Sequence, residues 1–246
     1  MPRKRWLPVA SLRHAPNNLS HQMKILLRRL ARDYSRAMKE QADACELVES
    51  MARGGTSEPT GYLFIGEHDP VYTLGKNGNA SNLLVTEGRD GVPALVRTDR
   101  GGDITYHGPG QIVMYLVVHL PSLRLGARKY VELLEEAVIE TLREFRIVTR
   151  TLDDAPGVWI PATRMRPLRK ICALGIHINQ GVTTHGIALN VMTDMAYFAK
   201  INPCGFTDRE ATSMEQELYT PLDFRLVENT LLRHIANTLH LSYATH

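Results

Sequence analysis

At 246 residues with 43% hydrophobic content, the chain can bury one good core, which fits one large α/β domain or one domain with a small appendage. A formal charge of +3, from 29 basic and 26 acidic residues mixed through most of the sequence, argues against a nucleic-acid binder, and no run approaches the roughly 18–20 apolar residues of a membrane span. The three cysteines, Cys45, Cys172 and Cys204, form an odd set without C-x-x-C spacing. That argues against a disulfide framework or a structural zinc site, assigns no metal ligands, and points to a reducing compartment.

Arg3, Lys4, Arg5, Arg13, Lys24, Arg28, Arg29 and Arg32 all precede the first acidic residue, Asp33. Such a start reads either as an organelle transit peptide or as the basic face of an ordinary helix. From Met23 to Met51, apolar residues at Ile25, Leu26, Leu30, Tyr34 and Met38 predict an amphipathic helix, closed by the Gly54-Gly55 loop. Residues 1–61 thus read as a basic segment and helix leading into, or packed on, a domain over 62–246.

Tyr62–Glu67 and Val71–Gly75 are predicted strands separated by His68-Asp69-Pro70, and Ala94–Arg97 is a third. Next comes Arg100-Gly101-Gly102-Asp103-Ile104-Thr105-Tyr106-His107-Gly108-Pro109-Gly110-Gln111, followed at once by the apolar run Ile112–Leu120. Glycines here let the main chain bend tightly against a ligand or against another part of the chain, with Tyr106 and His107 beside it. A plain β-turn before a core strand is the alternative. Lys129–Phe145 is the clearest helix, with Val131, Leu134, Val138, Leu142 and Phe145 on one face and Glu132, Glu135, Glu136 and Arg143 mostly on the other.

Val158–Ile160 is a short strand, and Lys170–Ile178 with Thr184–Val191 form a predicted hairpin turned by Asn179-Gln180-Gly181. Phe224–His240 returns to helical spacing. Cys204 lies between Pro203 and Gly205, on a tight turn that presents its sulfur to a cleft, unless it is only a small residue suited to the turn. Cys172, in a strand pattern, and Cys45, on a helix, read as inert packing residues. No G-x-G-x-x-G or Walker pattern is present.

Arg100–Gln111, Lys170-Ile-Cys-Ala-Leu-Gly175, His185-Gly-Ile-Ala-Leu-Asn190 and Asn202-Pro-Cys-Gly205 resemble, in this order and spacing, the lipoyl(octanoyl) transferase family. Asp154–Trp159 and Thr212-Ser213 add to the likeness, which runs from about Tyr62 to Ser213. It implies a mixed β-sheet flanked by helices, an α/β (α+β) fold shared with biotin and lipoate protein ligases. The implied activity is transfer of an octanoyl group from the phosphopantetheine thioester of acyl carrier protein to a lysine of lipoyl domains, those of 2-oxoacid dehydrogenase complexes and the glycine cleavage H protein. By motif match Cys204 corresponds to the acyl-thioester nucleophile and Lys170 to its acid/base partner. Arg100, Gly101, Gly102, Asp103, Ile104, Thr105, Tyr106, His107, Ala173, Leu174, Gly175, His185, Gly186 and Ile187 correspond to the acyl pocket. Ile104, Leu174 and Ile187 read equally as plain core.

No cofactor is expected, because the substrate itself carries the activated thioester. Two other readings fit the same fold: an ATP-dependent lipoate or biotin ligase, which does not require the cysteine, and a non-catalytic carrier-protein-binding module. For compartment the expectation is the mitochondrial matrix, with the cytoplasm of a bacterium as the alternative.

Overall fold

The computed structural model describes residues 23–54, 60–86, 88, 91–202 and 209–244. Cys204 and the Arg-rich start before Met23 lie outside these residues. A sheet of eight strands runs in the order β10 (Arg209–Ala211), β8 (Leu168–Asn179), β9 (Val182–Asn190), β6 (Gln111–Val117), β2 (Thr60–Gly66), β1 (Met23–Arg29) and β11 (Leu241–Ala244), with β7 (Gly157–Ile160) paired to β8 off this path. Pairing is mixed, since β1 runs parallel to both β2 and β11 while β9 is antiparallel to both of its neighbours, β6 and β8. A second sheet of three strands, β4 (Leu95–Arg97), β3 (Val71–Leu74) and β5 (Ile104–His107), carries the glycine-rich stretch.

Helices cover both faces of the large sheet. On one side α1 (Tyr34–Gly54) buries Ala37, Ala44 and Val48 against Phe64, Val113, Tyr115 and Val117. On the other, α2 (Ala127–Glu144) and α4 (Phe224–Leu239) bury Leu134, Val138, Leu142, Val227, Leu231 and Ile235 against the sheet's opposite side chains, Ile112, Met114 and Leu116. The alternation Ile112, Met114, Leu116 to one layer and Val113, Tyr115, Val117 to the other explains why β6 reads as an unbroken apolar run: it is buried on both faces.

The expected helix over Met23–Met51 is corrected at its start. Residues 23–29 form a strand, and the helix begins only at Tyr34. Met23 and Ile25 are buried while Lys24 between them is exposed, the period of a strand. Asp33 then opens the helix, its Oδ1 accepting the Arg36 N–H at 2.8 Å. The stretch from Arg100 is likewise not one continuous turn: bends at Gly102 (φ +83°) and Gly110 (φ +80°) bracket the four-residue strand β5. The hairpin forms as expected, although its turn is only Gln180-Gly181, both in the left-handed region.

On α2, Glu135 departs from the polar face assigned to it. It is buried, three residues before Val138 and seven before Leu142 on the apolar stripe, and its Oε1 accepts the Gly157 N–H at 2.8 Å. Two short strands, β10 and β11, and the small helix α3 (Met214–Leu218) have no counterpart among the predicted elements.

Candidate active site

A cavity of about 780 Å³ opens between the two sheets, within the range of about 300–1,000 Å³ usual for small-molecule sites. Its walls come from the glycine stretch with β5, from the β8–β9 hairpin, from the turn before β7, and from residues 195–202 and β10. Arg100, Gly101, Gly102, Asp103, Ile104, Thr105, His107, Lys170, Ala173, Leu174, Gly175, His185, Gly186 and Ile187 all line it. Tyr106 does not. Its ring stacks on Tyr197 with centroids 4.4 Å apart and packs beside Tyr72, so these neighbours and Phe198 take up its faces and edge.

Backbone contacts fix the spacing of the walls. The Gly101 N–H donates to the Ile176 carbonyl at 3.0 Å, which ties the glycine stretch to β8. A Cβ on Gly175 would lie 3.0 Å from the Gly101 carbonyl oxygen, so the absence of a side chain there lets two main chains meet. Arg100 holds the small sheet from within: its Nη2 donates to Thr73 O at 2.7 Å and to Thr73 Oγ1 at 2.8 Å. Asp103 accepts from Asn79 N and Asn82 Nδ2, pinning the loop after β3.

At one part of the lining, Lys170 Nζ donates to the Pro156 carbonyl at 3.2 Å and sits over the Trp159 ring, 4.6 Å from its centroid. Arg209 lies over the same ring and pairs with Asp154 at 2.8 Å. Ala211 of β10 pairs with Lys170 of β8, which sets β10 beside the lysine. Asn202 and Arg209, the described residues that flank the Cys204 segment, both line the cavity.

Elsewhere the lining is aromatic and histidine-rich. Tyr34, His107, Tyr115 and His185 of the lining, together with His68 outside it, pack ring against ring, with centroids 5.1–6.3 Å apart. His185, at φ +59°, hydrogen-bonds Asp99 Oδ1 at 2.7 Å through Nε2, and its N–H donates to Gln41 Oε1. That contact with His185 holds the Asp99 carboxyl at about 2. His107 bonds Gln111 Oε1 through Nδ1 at 2.8 Å, and burial, then the neighbouring His68, holds its pKa well below 6.5.

His107 therefore stays neutral in the fold at pH values where the unfolded imidazole takes up a proton. Below about 6.5 the unfolded state holds more protons, so stability is expected to fall with pH by up to about 1.4 kcal/mol per unit from this group. His68, also lowered by burial, adds to the slope. Guanidinium unfolding at about pH 7.5 and pH 5 should show that loss, and His107→Gln should reduce it; equal slopes in the two proteins would deny the assignment.

The other two cysteines are unsuited to nucleophilic work. Burial pushes the Cys172 thiol up to about 12. Partial burial with Glu49 beside it pushes Cys45 up to about 11.

The family model for the lipoyl protein ligase A/B catalytic domain matches residues 40–236. An octanoyltransferase of Cytophaga hutchinsonii is 43% identical over 192 residues, covering 76% of this chain and 79% of that protein. One of Bacteroides fragilis is 42% identical over 208 residues, covering 84% and 93%. The chain belongs to the octanoyltransferase family. It is therefore an acyltransferase, built on the lipoyl protein ligase A/B catalytic domain.

Solved structures agree on the fold: a bipartite lipoate protein ligase of Thermoplasma acidophilum superimposes with a TM-score of 0.67 at 19% identity, over 92% of this chain and 87% of that one. A lipoate-protein ligase A bound with ATP gives 0.62 at 19% identity, covering 92% and 88%. The octanoyltransferase relatives named here are bacterial, which fits the bacterial alternative and gives the mitochondrial expectation no support.

Tyr34, Tyr115, Trp159 and Arg209 line the site without having been assigned to it from sequence. Trp159 lay within the family-like Asp154–Trp159 segment, which was a usable signal. Tyr34 was visible only as one apolar position of a helix.

Proposed function

We propose that this enzyme transfers an octanoyl group from acyl carrier protein to a lysine of a lipoyl domain, through an acyl-thioester on Cys204. The observation that carries the reading is a cavity walled by the four family-like segments' described residues, with Lys170, Asn202 and Arg209 all in its lining. In the first half-reaction the Cys204 thiolate attacks the thioester carbonyl carbon. The bond to the phosphopantetheine sulfur breaks, and the leaving sulfur takes a proton from the Lys170 ammonium, so the carrier departs as a thiol and Lys170 is left neutral.

In the second half-reaction the acceptor lysine's amine attacks the acyl-cysteine, an amide forms, and the Cys204 thiolate is released. Lys170 serves as acid/base group, taking the proton that the amine loses. Exchange of one thioester for another is close to balanced in free energy, so neither ATP nor a cofactor is needed. Ile104, Leu174 and Ile187 supply apolar surface for the acyl chain. Acceptors would be the lipoyl domains of 2-oxoacid dehydrogenase complexes and the glycine cleavage H protein, in a bacterial cytoplasm.

Incubation with octanoyl-acyl carrier protein in the absence of ATP, followed by intact mass and peptide mapping, tests the reading. An octanoyl adduct on the Cys204 peptide, discharged by added lipoyl domain, is expected. Activity only with free octanoate and ATP would overturn it in favour of a ligase.

A further inference from the structure

Three consecutive residues where the chain enters β7 each give one backbone group to a different side chain. The Ala155 carbonyl accepts from Trp159 Nε1 at 3.0 Å, the Pro156 carbonyl from Lys170 Nζ at 3.2 Å, and the Gly157 N–H donates to Glu135 Oε1 at 2.8 Å. Glu135 stands on α2 and is not among the residues lining the cavity. Nothing in the acyl-transfer chemistry above uses it.

The Pro156 carbonyl and the Gly157 N–H belong to one peptide unit, which is planar and trans. Their bonds therefore point in opposite directions from a rigid plate, so whatever aims the N–H also aims the carbonyl. Glu135 holds one edge of the plate and Lys170 takes the other. Gly157 is at φ +118°, and a Cβ there would lie 2.4 Å from the Cys172 carbonyl oxygen. The plate is thus pressed against β8, in a conformation only glycine adopts readily.

We propose that Glu135 is a positioning residue for Lys170: its carboxylate, by holding the Gly157 N–H, sets the direction of the Pro156 carbonyl that receives the lysine's Nζ. The inference rests on the reading of Lys170 as the acid/base group. Burial of Glu135 raises its carboxyl pKa, while the Gly157 N–H and the Lys170 charge act to lower it and Glu132 adds to the rise. Cys172, on the neighbouring strand, also feels the Glu135 charge. Glutamine in its place keeps the oxygen acceptor without the charge, and alanine removes both.

The test compares wild type, Glu135→Gln and Glu135→Ala by two readouts. One is the pH midpoint of trace acetic-anhydride labelling at Lys170, mapped by mass spectrometry, which needs no acyl substrate. The other is steady-state octanoyl transfer. Glu135→Ala should lower kcat by about 10- to 100-fold, as misplacement of a reacting group does, with KM for the carrier protein unchanged, and should move the labelling midpoint down. Glu135→Gln should keep most of kcat and move the midpoint less than alanine does.

Equal midpoints and equal kcat in the glutamine and alanine variants would overturn the proposal, because the oxygen that glutamine keeps and alanine lacks would then have no part in setting Lys170. Should the alanine variant fail to fold, Glu135→Asp, one methylene short of Gly157, takes its place with the same expected outcomes. A separation of labelling midpoints without any octanoyl transfer by wild type would leave the positioning intact and sink the functional reading instead.

Discussion

Cys204→Ala is expected to lower octanoyl transfer by more than about 10³-fold, the scale of losing a covalent nucleophile, and to remove the acyl adduct altogether. Cys204→Ser should behave almost as badly, since a hydroxyl is far less ionised than a thiol near neutral pH. Cys172→Ala and Cys45→Ala should leave the chemistry largely intact, because burial holds the first thiol at about 12 and burial beside Glu49 holds the second at about 11. Single-turnover transfer from octanoyl-acyl carrier protein, read by mass spectrometry, checks all four. Retained adduct in Cys204→Ala would move the nucleophile elsewhere.

Lys170 should show the next largest effect, and its two functions can be separated. A cation within about 4–6 Å favours a thiolate, so Lys170→Ala should raise the pH at which Cys204 reacts with iodoacetamide and slow acylation. Arginine keeps the charge but cannot readily exchange a proton. Lys170→Arg should therefore retain much of the thiol reactivity while losing transfer to the acceptor by about 10²–10⁴-fold, the usual range for a general base. Identical labelling profiles in wild type and both variants would mean that Lys170 does not tune the thiol. Its contacts with Pro156 and Trp159 would then be packing alone.

Elements with a long, regular pattern were legible in the sequence. Helix α2 shows its 3.6-residue stripe over eighteen residues and the β8–β9 hairpin its alternation, so both appeared where expected. The strand β1 was hidden because Ile25 and Leu26 fall by chance in step with Leu30, Tyr34 and Met38, so a strand and the helix after it read as one period. Three- and four-residue strands such as β10 and β11 hold too little sequence to show a period at all.

At the site, the glycine stretch, Lys170 and the hairpin could be found because their motifs are contiguous. Glu135 could not, since a glutamate among Glu132 and Glu136 on a helix looks solvated; only the approach of Gly157 from another element gives it a partner. Tyr106 was misplaced for a related reason. A residue inside a motif is assigned to the motif's ligand, although its ring can be taken up by a distant element, here Tyr197 and Phe198.

The parallel pairing of β1 with β11 joins positions far apart in sequence: Ser242 Oγ donates to Met23 O across 219 residues. On the ribosome the amino-terminal part emerges first, so β1 can meet β2 long before its other neighbour has been made. During that interval β1 is the open edge of the sheet, with a row of backbone groups able to pair with another chain. Lys24, Arg28 and Arg29 are exposed along it, and Arg29 later pairs with Glu228 of α4 at 2.8 Å. These charges discourage a second nascent chain from adding to the edge, so the same side chains that look like ordinary surface in the finished protein protect it until its last strand arrives.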